Sequence, residues 1–337
     1  MTLAGLTAAS AVRGQPFLYV TNQNANSVSV VDTRNNSLAI NAVSSFSPSA
    51  AALSPDGSRL FVTNPNANLV VVYNTANNSV FSSFGIGQLP SAVAVDAQRI
   101  YVALHANAAL AVFSAATFVQ TASIRVGFGP NAVAVSSANG RVYVANTYSS
   151  TLTVIDPTRI GTPNSPVIAT IPVPDSPVAI ATSADGLTAW VASSAIPTLT
   201  RINLAENLVA SQIALPISPA GVAVSADGSR AYVTGYGSKV ATVDIQRGTV
   251  LGTNALPACN APRCVAMAAA VSSDGKTVYV ANTSMNQIAV MDTTTGAITS
   301  NINVQAAPRA VVLGPTPRPA TANPTAATRN TETEDRN

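Results

Sequence analysis

Charged side chains are scarce in this chain of 337 residues. They make up 9% of it, as 17 Lys+Arg and 14 Asp+Glu, with a single His and a formal net charge of +3. The sequence pI is about 9.0, but no cluster of basic residues concentrates the charge, and the only lysines are Lys239 and Lys276. Nucleic-acid binding depends on such a concentration, so we expect no nucleic-acid partner.

Long apolar runs are also missing, although hydrophobic residues make up 47% of the chain. Runs such as Cys264 to Val271 fall far short of the roughly 18 residues that a membrane-spanning helix needs. We therefore expect no membrane span. The high apolar content also excludes a chain that is disordered throughout.

The two ends of the chain lack the periodicity of folded elements. Residues 1–16 contain a small-residue stretch, Ala9-Ser10-Ala11, but Arg13 is the first basic residue. This segment is either the remnant of a secretory signal or an ordinary leader. Residues 315–337 are rich in Pro, Thr and Ala, and a tail with so little apolar surface to bury is expected to be disordered.

An internal repeat fills the region between the two ends. Short segments such as LYVTN, YVAN and WVAS recur at intervals of 40 to 47 residues, each with one aromatic residue: Tyr19, Phe61, Tyr101, Tyr143, Trp190, Tyr232 and Tyr279. A second strand-like run follows each one and ends in a polar residue, and a third, β-branched run comes next. A fourth run of alternating Ala and Val leads back, often through an Asp-Gly turn, to the next aromatic segment.

Four short alternating strands in a unit of about 40 residues form one blade of a β-propeller. Seven copies predict an all-β fold, a seven-bladed β-propeller of four-stranded blades that occupies residues 17–314 as one domain. The Ala/Val strand is placed innermost, because little room remains where seven strands converge.

The order of the copies predicts how the ring closes. The first copy begins with the aromatic strand at Phe17 and has no Ala/Val strand before it, whereas the last copy is followed by an extra one, Arg309 to Leu313. We therefore expect the C-terminal strand to become the inner strand of the N-terminal blade, which leaves no blade incomplete.

These motifs resemble the YVTN-repeat propeller family, whose motif stands intact at Tyr19-Val20-Thr21-Asn22. The resemblance extends over about residues 17–314. It implies the propeller fold and export to the periplasm, the cell surface or the extracellular space. The chain is also similar in sequence style to a group of seven-bladed lactonases, which implies a hydrolase as an alternative function.

Groups that could catalyse a reaction are few. Nine of the aspartates recur at turns or strand ends, where local hydrogen bonds to the backbone explain them. Asp175 and Glu206 remain before the tail and fall at opposite ends of the propeller, so we predict no paired-carboxylate site, catalytic residue, metal site or cofactor. His105 has no recognisable second ligand or nucleophile beside it.

Several arginines recur two positions before the aromatic residue and are expected to be solvated or to bridge blades: Arg59, Arg99, Arg141 and Arg230.

The two cysteines, Cys259 and Cys264, have three possible roles: a disulfide, a metal pair or a redox pair. A zinc site needs about four ligands, and the chain offers no other cysteine and one histidine. A redox pair has two intervening residues rather than four. We therefore predict a disulfide, which suits an exported protein.

One end of the propeller collects asparagine-rich and aromatic loops. The candidate binding residues there are Asn22, Asn64, His105, Asn146, Tyr148, Tyr236, Arg263, Asn282 and Met285. Surfaces of amide and aromatic groups bind uncharged polymers well, although asparagine also supports tight turns for structural reasons. The prediction is an exported, monomeric, non-catalytic scaffold that binds a protein, peptide or glycan. The alternative is a lactonase-like hydrolase with its site at the central channel.

Overall fold

The computed structural model describes residues 17–43, 47–257 and 264–314, with the side chains of 41–43 left out. These residues form 28 strands and three single turns of 3-10 helix. The strands make seven separate four-stranded antiparallel sheets arranged in a ring. The predicted seven-bladed β-propeller is therefore confirmed. The predictions for the leader and the tail fall outside the described residues, within which no helix has the length and hydropathy to cross a bilayer.

Every blade has an inner, a second, a third and an outer strand. The inner strands are β4 (Ala51–Leu53), β8 (Pro90–Val95), β12 (Pro130–Val135), β16 (Pro177–Thr182), β20 (Pro219–Val224), β24 (Ala266–Val271) and β28 (Pro308–Leu313). The second strands are β1 (Phe17–Asn22), β5 (Arg59–Asn64), β9 (Arg99–Leu104), β13 (Val142–Asn146), β17 (Thr188–Ser193), β21 (Arg230–Gly235) and β25 (Thr277–Asn282). The third strands are β2 (Ser27–Asp32), β6 (Leu69–Asn74), β10 (Ala109–Ser114), β14 (Thr151–Ile155), β18 (Thr198–Asn203), β22 (Lys239–Asp244) and β26 (Gln287–Asp292). The outer strands are β3 (Ser37–Val43), β7 (Ser79–Gly85), β11 (Gln120–Arg125), β15 (Val167–Pro172), β19 (Leu208–Ala214), β23 (Thr249–Ala255) and β27 (Ile298–Asn303).

The hydrophobic core lies between neighbouring blades. Second strands such as β13 are buried along their whole length, because both of their faces pack against a blade. One of the interblade clusters joins Trp190 and Leu199 of one blade to Val233 and Val243 of the next. Burial of one such Val or Leu side chain contributes about 1.5–3 kcal/mol to folding. Continuous apolar runs in the second and third strands therefore position the blades against one another.

The ring closes as the order of the copies predicts. Strand β28 pairs antiparallel with β1, with Leu18 opposite Leu313 and Val20 opposite Val311. The same sheet continues to β2 and β3, so its inner strand comes from the C-terminal end and its other three from the N-terminal end. Closure thus depends on hydrogen bonds and packing between residues about 290 positions apart, as the bond from the Ala310 amide to the Thr21 hydroxyl shows.

Arginines at the starts of second strands link adjacent blades. A guanidinium nitrogen of Arg59 donates to the carbonyl of Ala115 at 3.4 Å, and one of Arg141 donates to that of Leu204 at 3.1 Å. Arg230 makes the equivalent bond to the next blade. The expectation that these arginines act as cross-blade partners is confirmed for these three.

The recurring aspartates make the local hydrogen bonds expected of them. In the β20–β21 turn, the Asp227 carboxylate accepts from the Ser225 hydroxyl at 2.5 Å and from the Ser229 amide at 3.0 Å. The Ser225 hydroxyl is the main reason that the pKa of Asp227 lies below its usual value of 3.8. At a strand end, Asp292 accepts from the Thr294 amide at 2.9 Å in the same way. These carboxylates shape turns, which explains most of the few acidic residues.

Candidate functional site

The connections after the second strands and those that enter the inner strands meet at one end of the ring. We call this end the loop face, and its described residues are 23–26, 47–50, 65–68, 86–89, 105–108, 126–129, 147–150, 173–176, 194–197, 215–218, 236–238, 256–257, 264–265, 283–286 and 304–307. Backbone bonds join the two kinds of connection, such as the 3.1 Å bond from the Tyr148 amide to the Phe128 carbonyl. The predicted grouping of these loops is therefore confirmed.

The four asparagines that the sequence placed on this face are buried at 0% exposure: Asn22, Asn64, Asn146 and Asn282. The Asn282 amide donates to the Pro257 carbonyl at 2.9 Å, and the Asn146 amide donates to the Thr153 hydroxyl at 2.8 Å. Each asparagine ends a second strand, so its side chain turns into the protein rather than toward solvent. This corrects the prediction for these four residues, because a side chain that is buried in this way does not present itself to a partner.

The same strand-end position ties the loops of the face together. With its amide oriented to satisfy both groups, Asn22 donates to the Gln305 carbonyl at 3.2 Å and accepts from the Ser29 hydroxyl at 2.8 Å. The Asn64 amide donates to the Val62 carbonyl at 3.1 Å. The asparagine of the YVTN motif is therefore a structural residue in this protein, and it holds the loop face in shape.

Three aromatic side chains are exposed on the loop face. Tyr148 is 74% exposed, Phe128 is 64% exposed and Tyr236 is 53% exposed. His105 and Met285 are half-buried, each within a single 3-10 turn. The predicted residues His105, Tyr148, Tyr236 and Met285 therefore do share this face, which offers rings and loop backbone to a partner.

The ring of Tyr148 is held from two sides. It covers Gly129, where an added Cβ would lie 2.6 Å from the Tyr148 Cδ2 atom and where φ is +63°, so glycine is required there on both counts. The His105 ring meets it edge-on, with 5.2 Å between the ring centroids. The Tyr148 ring is thus exposed but already held in one orientation. A ligand that stacks on it would therefore cause little further loss of side-chain entropy.

Two predicted residues, Arg263 and Cys259, lie outside the described residues. Cys264 is described and is 4% exposed, and its carbonyl accepts from the Gly237 amide at 2.7 Å. The Cys259–Cys264 disulfide therefore stays a prediction. Mass spectrometry without reduction tests it, and two free thiols in the purified protein would contradict it.

The seven inner strands enclose a central channel with a volume of about 230 Å³. Its described lining consists of small or apolar residues with Ser91 and Asn131, and it contains no charged side chain. The expected placement of the small Ala/Val strand at the axis is confirmed. Over the described chain, no group of three or more His, Cys, Asp or Glu side chains could hold a metal ion.

A guanidinium lies at the loop-face end of the inner strand β28. Arg309 is the second residue of β28, and its equivalents in five other inner strands, Ser91, Asn131, Val178, Ala220 and Met267, line the channel. Arg309 is half-buried and donates to the Gln23 side-chain oxygen at 2.7 Å. Burial lowers the pKa of its guanidinium, against an opposing interaction with Tyr236.

The sequence pattern does not single out Arg309 and Gln23, because the last Ala/Val run indicates only a closing strand. One signal was available: an arginine stands at a position that is uncharged in those five other inner strands. The contact between Arg309 and Gln23 does not follow from the pattern, because the two residues are 286 positions apart.

The fold and this face together define a seven-bladed β-propeller with an aromatic, sparsely charged loop face. Known structures share the fold. A functionally unknown protein from Desulfotomaculum acetoxidans matches with a TM-score of 0.76 at 16% identity, over 88% of this chain and 98% of that one.

Two further structures belong to proteins whose names suggest different activities. A putative 6-phosphogluconolactonase from Bacteroides fragilis matches with a TM-score of 0.73 at 15% identity, over 91% of this chain and 99% of that one. Kuenenia stuttgartiensis hydrazine synthase matches with a TM-score of 0.72 at 19% identity, over 80% and 90%. Identities this low show the fold alone. No family model and no curated protein matches the chain, so membership of the YVTN-repeat family stays a prediction.

Proposed function

We propose that this propeller is a non-catalytic scaffold that binds a peptide, protein or glycan on its loop face. The observation that carries the proposal is the group of exposed rings, Phe128, Tyr148 and Tyr236, in loops whose charged groups are few. Exposed aromatic rings supply a large contact area at a low cost in side-chain entropy, which suits recognition of peptides and sugars.

Charged residues are few on the loop face, which favours a partner whose contact surface is mostly uncharged. Within the described loop-face residues the acidic side chain is Asp175, which accepts from the Ser150 hydroxyl at 2.8 Å. The ion pairs recorded in the described chain, Arg34–Asp32, Arg159–Asp156 and Arg247–Asp244, involve residues at the opposite ends of the third strands. Contact with the loop face therefore requires little desolvation of charge.

A lactonase-like hydrolase is the alternative, and the channel lining favours it less. Hydrolysis needs groups whose pKa suits proton transfer, and the described lining offers amide, hydroxyl and apolar side chains. His105 packs its ring against Tyr148 on the loop face. Lactone hydrolysis that is abolished in a His105→Ala variant would establish the alternative and overturn the scaffold proposal.

Peptide and glycan arrays test the scaffold proposal. We expect the wild-type protein to bind a defined subset of spots, and the Tyr148→Ala and Tyr236→Ala variants to lose at least about ten-fold in affinity, as truncation of interface aromatics commonly does. Phe81→Ala is the matched control, because Phe81 is 51% exposed on an outer strand away from the loop face. Binding that Tyr148→Ala and Tyr236→Ala leave unchanged would refute the proposed face.

Export and the monomeric state belong to the same proposal and rest on the sequence. The small-residue stretch at Ala9-Ser10-Ala11 and the cysteine pair support a periplasmic or extracellular location. Fractionation of cells that express the full chain tests the location, and size-exclusion chromatography with light scattering tests the oligomeric state. Protein confined to the cytoplasm, or a stable dimer, would contradict the respective part.

A further inference from the structure

Arg309 is a charge that the propeller fold does not require. At the equivalent position, five other inner strands carry Ser, Asn, Val, Ala or Met, and their blades close without a charged group there. Partial burial of a charged group is costly unless a partner compensates it. A neutral residue would close the N-terminal blade at lower cost, so the fold alone does not explain the charge.

No carboxylate in the described chain compensates this charge. The ion pairs of the described residues do not include Arg309, and its recorded side-chain hydrogen bond goes to the neutral amide of Gln23. Gln23 is itself held in place, since its backbone amide donates to the Ala307 carbonyl at 2.9 Å. Gln23 therefore orients the guanidinium and leaves its charge unneutralised.

A second hydrogen-bonding side chain lies on the same face. Tyr236 is 53% exposed and belongs to the connection after β21, two blades away from β28 along the ring. The backbone of Tyr236 is anchored by a bridge to Val265 at the entrance to the next inner strand. Arg309 and Tyr236 thus both lie at the loop-face end of the ring, where Lys239 is also exposed.

From this geometry we propose that Arg309 and Tyr236, with Gln23 as the positioning residue, form a site for a carboxylate at the loop-face mouth of the channel. The guanidinium has five N–H donors in a planar fork, and one donor to Gln23 leaves the others for a planar, singly charged carboxylate. A single arginine matches a single negative charge better than the higher charge of a phosphate. The channel behind it accepts an apolar group attached to that carboxylate.

This site rests on the proposed function and extends it. A partner bound on the loop face would place its carboxylate at the channel mouth, while Tyr148 and Phe128 contact the remainder of the partner. The carboxylate belongs either to a small free acid or to the C-terminus of a peptide. Both sources have the same chemistry, and the experiment separates them.

The test is an NMR titration of the full chain with benzoate, with its neutral isostere benzamide and with inorganic phosphate. We expect benzoate to shift amide signals around residues 23, 236 and 309, with benzamide and phosphate at least about ten-fold weaker, as loss of a charge-assisted bond predicts. Raised salt should weaken benzoate binding, because screening reduces a charge–charge attraction. A tripeptide with a free C-terminus, compared with its amidated form, identifies the source.

Variants assign the binding to the proposed residues. We expect Arg309→Gln to abolish benzoate binding, and Arg309→Lys and Tyr236→Phe to weaken it about three-fold or more, because each loses part of the donor set. Arg125→Gln, an exposed arginine on an outer strand, is the matched control and should bind as the wild type does. If Arg309→Gln does not fold, as circular dichroism would reveal, the Lys and Tyr236→Phe variants carry the test.

Benzoate binding that survives all three substitutions, or equal binding of benzamide, would overturn the proposal. The outcome is separable from that of the proposed function. Array binding that depends on Tyr148, together with no Arg309-dependent benzoate binding, would refute the carboxylate site alone, whereas Arg309-dependent benzoate binding without any array ligand would refute the macromolecular scaffold alone.

Discussion

Removal of the closing strand should open the propeller. A chain that ends at Ala306 lacks β28, and with it the bonds from the Gly314 amide to the Phe17 carbonyl at 2.8 Å and from the Ala310 amide to the Thr21 hydroxyl at 2.9 Å. It also exposes Leu18, which is 0% exposed in the closed ring. The matched control ends at Gly314 and removes residues 315–337 alone.

The size of the effect follows from what β28 buries. Val311 is 9% exposed and packs in the cluster that joins the first and last blades, and Leu313 packs against the same cluster. At about 1.5–3 kcal/mol for a buried Val or Leu and about 1 kcal/mol for each hydrogen bond, the strand contributes about 6 kcal/mol. That is a large share of the roughly 5–15 kcal/mol that stabilises a folded domain.

Thermal unfolding followed by circular dichroism measures this effect. We expect the chain that ends at Ala306 to unfold at least about 10 °C below the control, since about 1 kcal/mol shifts the Tm of a large domain by a few degrees. A synthetic peptide of residues 307–314, added in excess, should restore part of the loss because it binds only the folded ring. Equal unfolding temperatures for the two chains would refute closure by β28.

Three further predictions follow from the loop face and the turns. Asn282→Ala should lower the free energy of unfolding in urea by about 1–3 kcal/mol, because it removes a fully buried amide together with its hydrogen bond to the Pro257 carbonyl, while the exposed Asn301→Ala should change it little. Gly129→Ala should lower the Tm more than Gly275→Ala, because both positions have a positive φ but the first alone also meets the Tyr148 ring; equal losses would contradict that packing. Asp227 has a pKa lowered in the folded state, so its contribution is present above the unfolded pKa of about 4 and is lost as the pH falls through the folded value. Asp227→Asn should therefore destabilise the protein at pH 7 and do so less as the pH falls below about 4, and a constant difference across that range would argue against the turn hydrogen bonds.

The repeat made most of the fold predictable. The aromatic residue and the alternating strands recur at nearly constant spacing, and a unit that cannot bury its own faces must stack on its neighbours. Closure by β28 followed from the order of the copies alone. The roles of the Asp-Gly turns were readable for the same reason, because a carboxylate that bonds to its own turn acts within a few residues.

The candidate site was predictable only in part. The alternation that identifies a strand assigns its side chains to one face or the other. It does not decide whether the side chain of the last residue is buried or exposed. Asn146 looked like a surface residue beside a polar loop, yet its amide turns inward to Thr153. Tyr148, two residues later, remains exposed because Gly129 and His105 support its ring from below and from the side.

The sequence by itself determined a ring of seven four-stranded blades, its closure and the end at which its loops gather, since all three depend on local periodicity and on the order of the copies. Tertiary structure alone decided which polar residues are exposed. It also brought Gln23 to Arg309, because contacts at the closure of the ring join residues that are far apart in sequence. In the described part of the chain most acidic groups serve turns, and the Arg309 guanidinium takes part in none of the ion pairs.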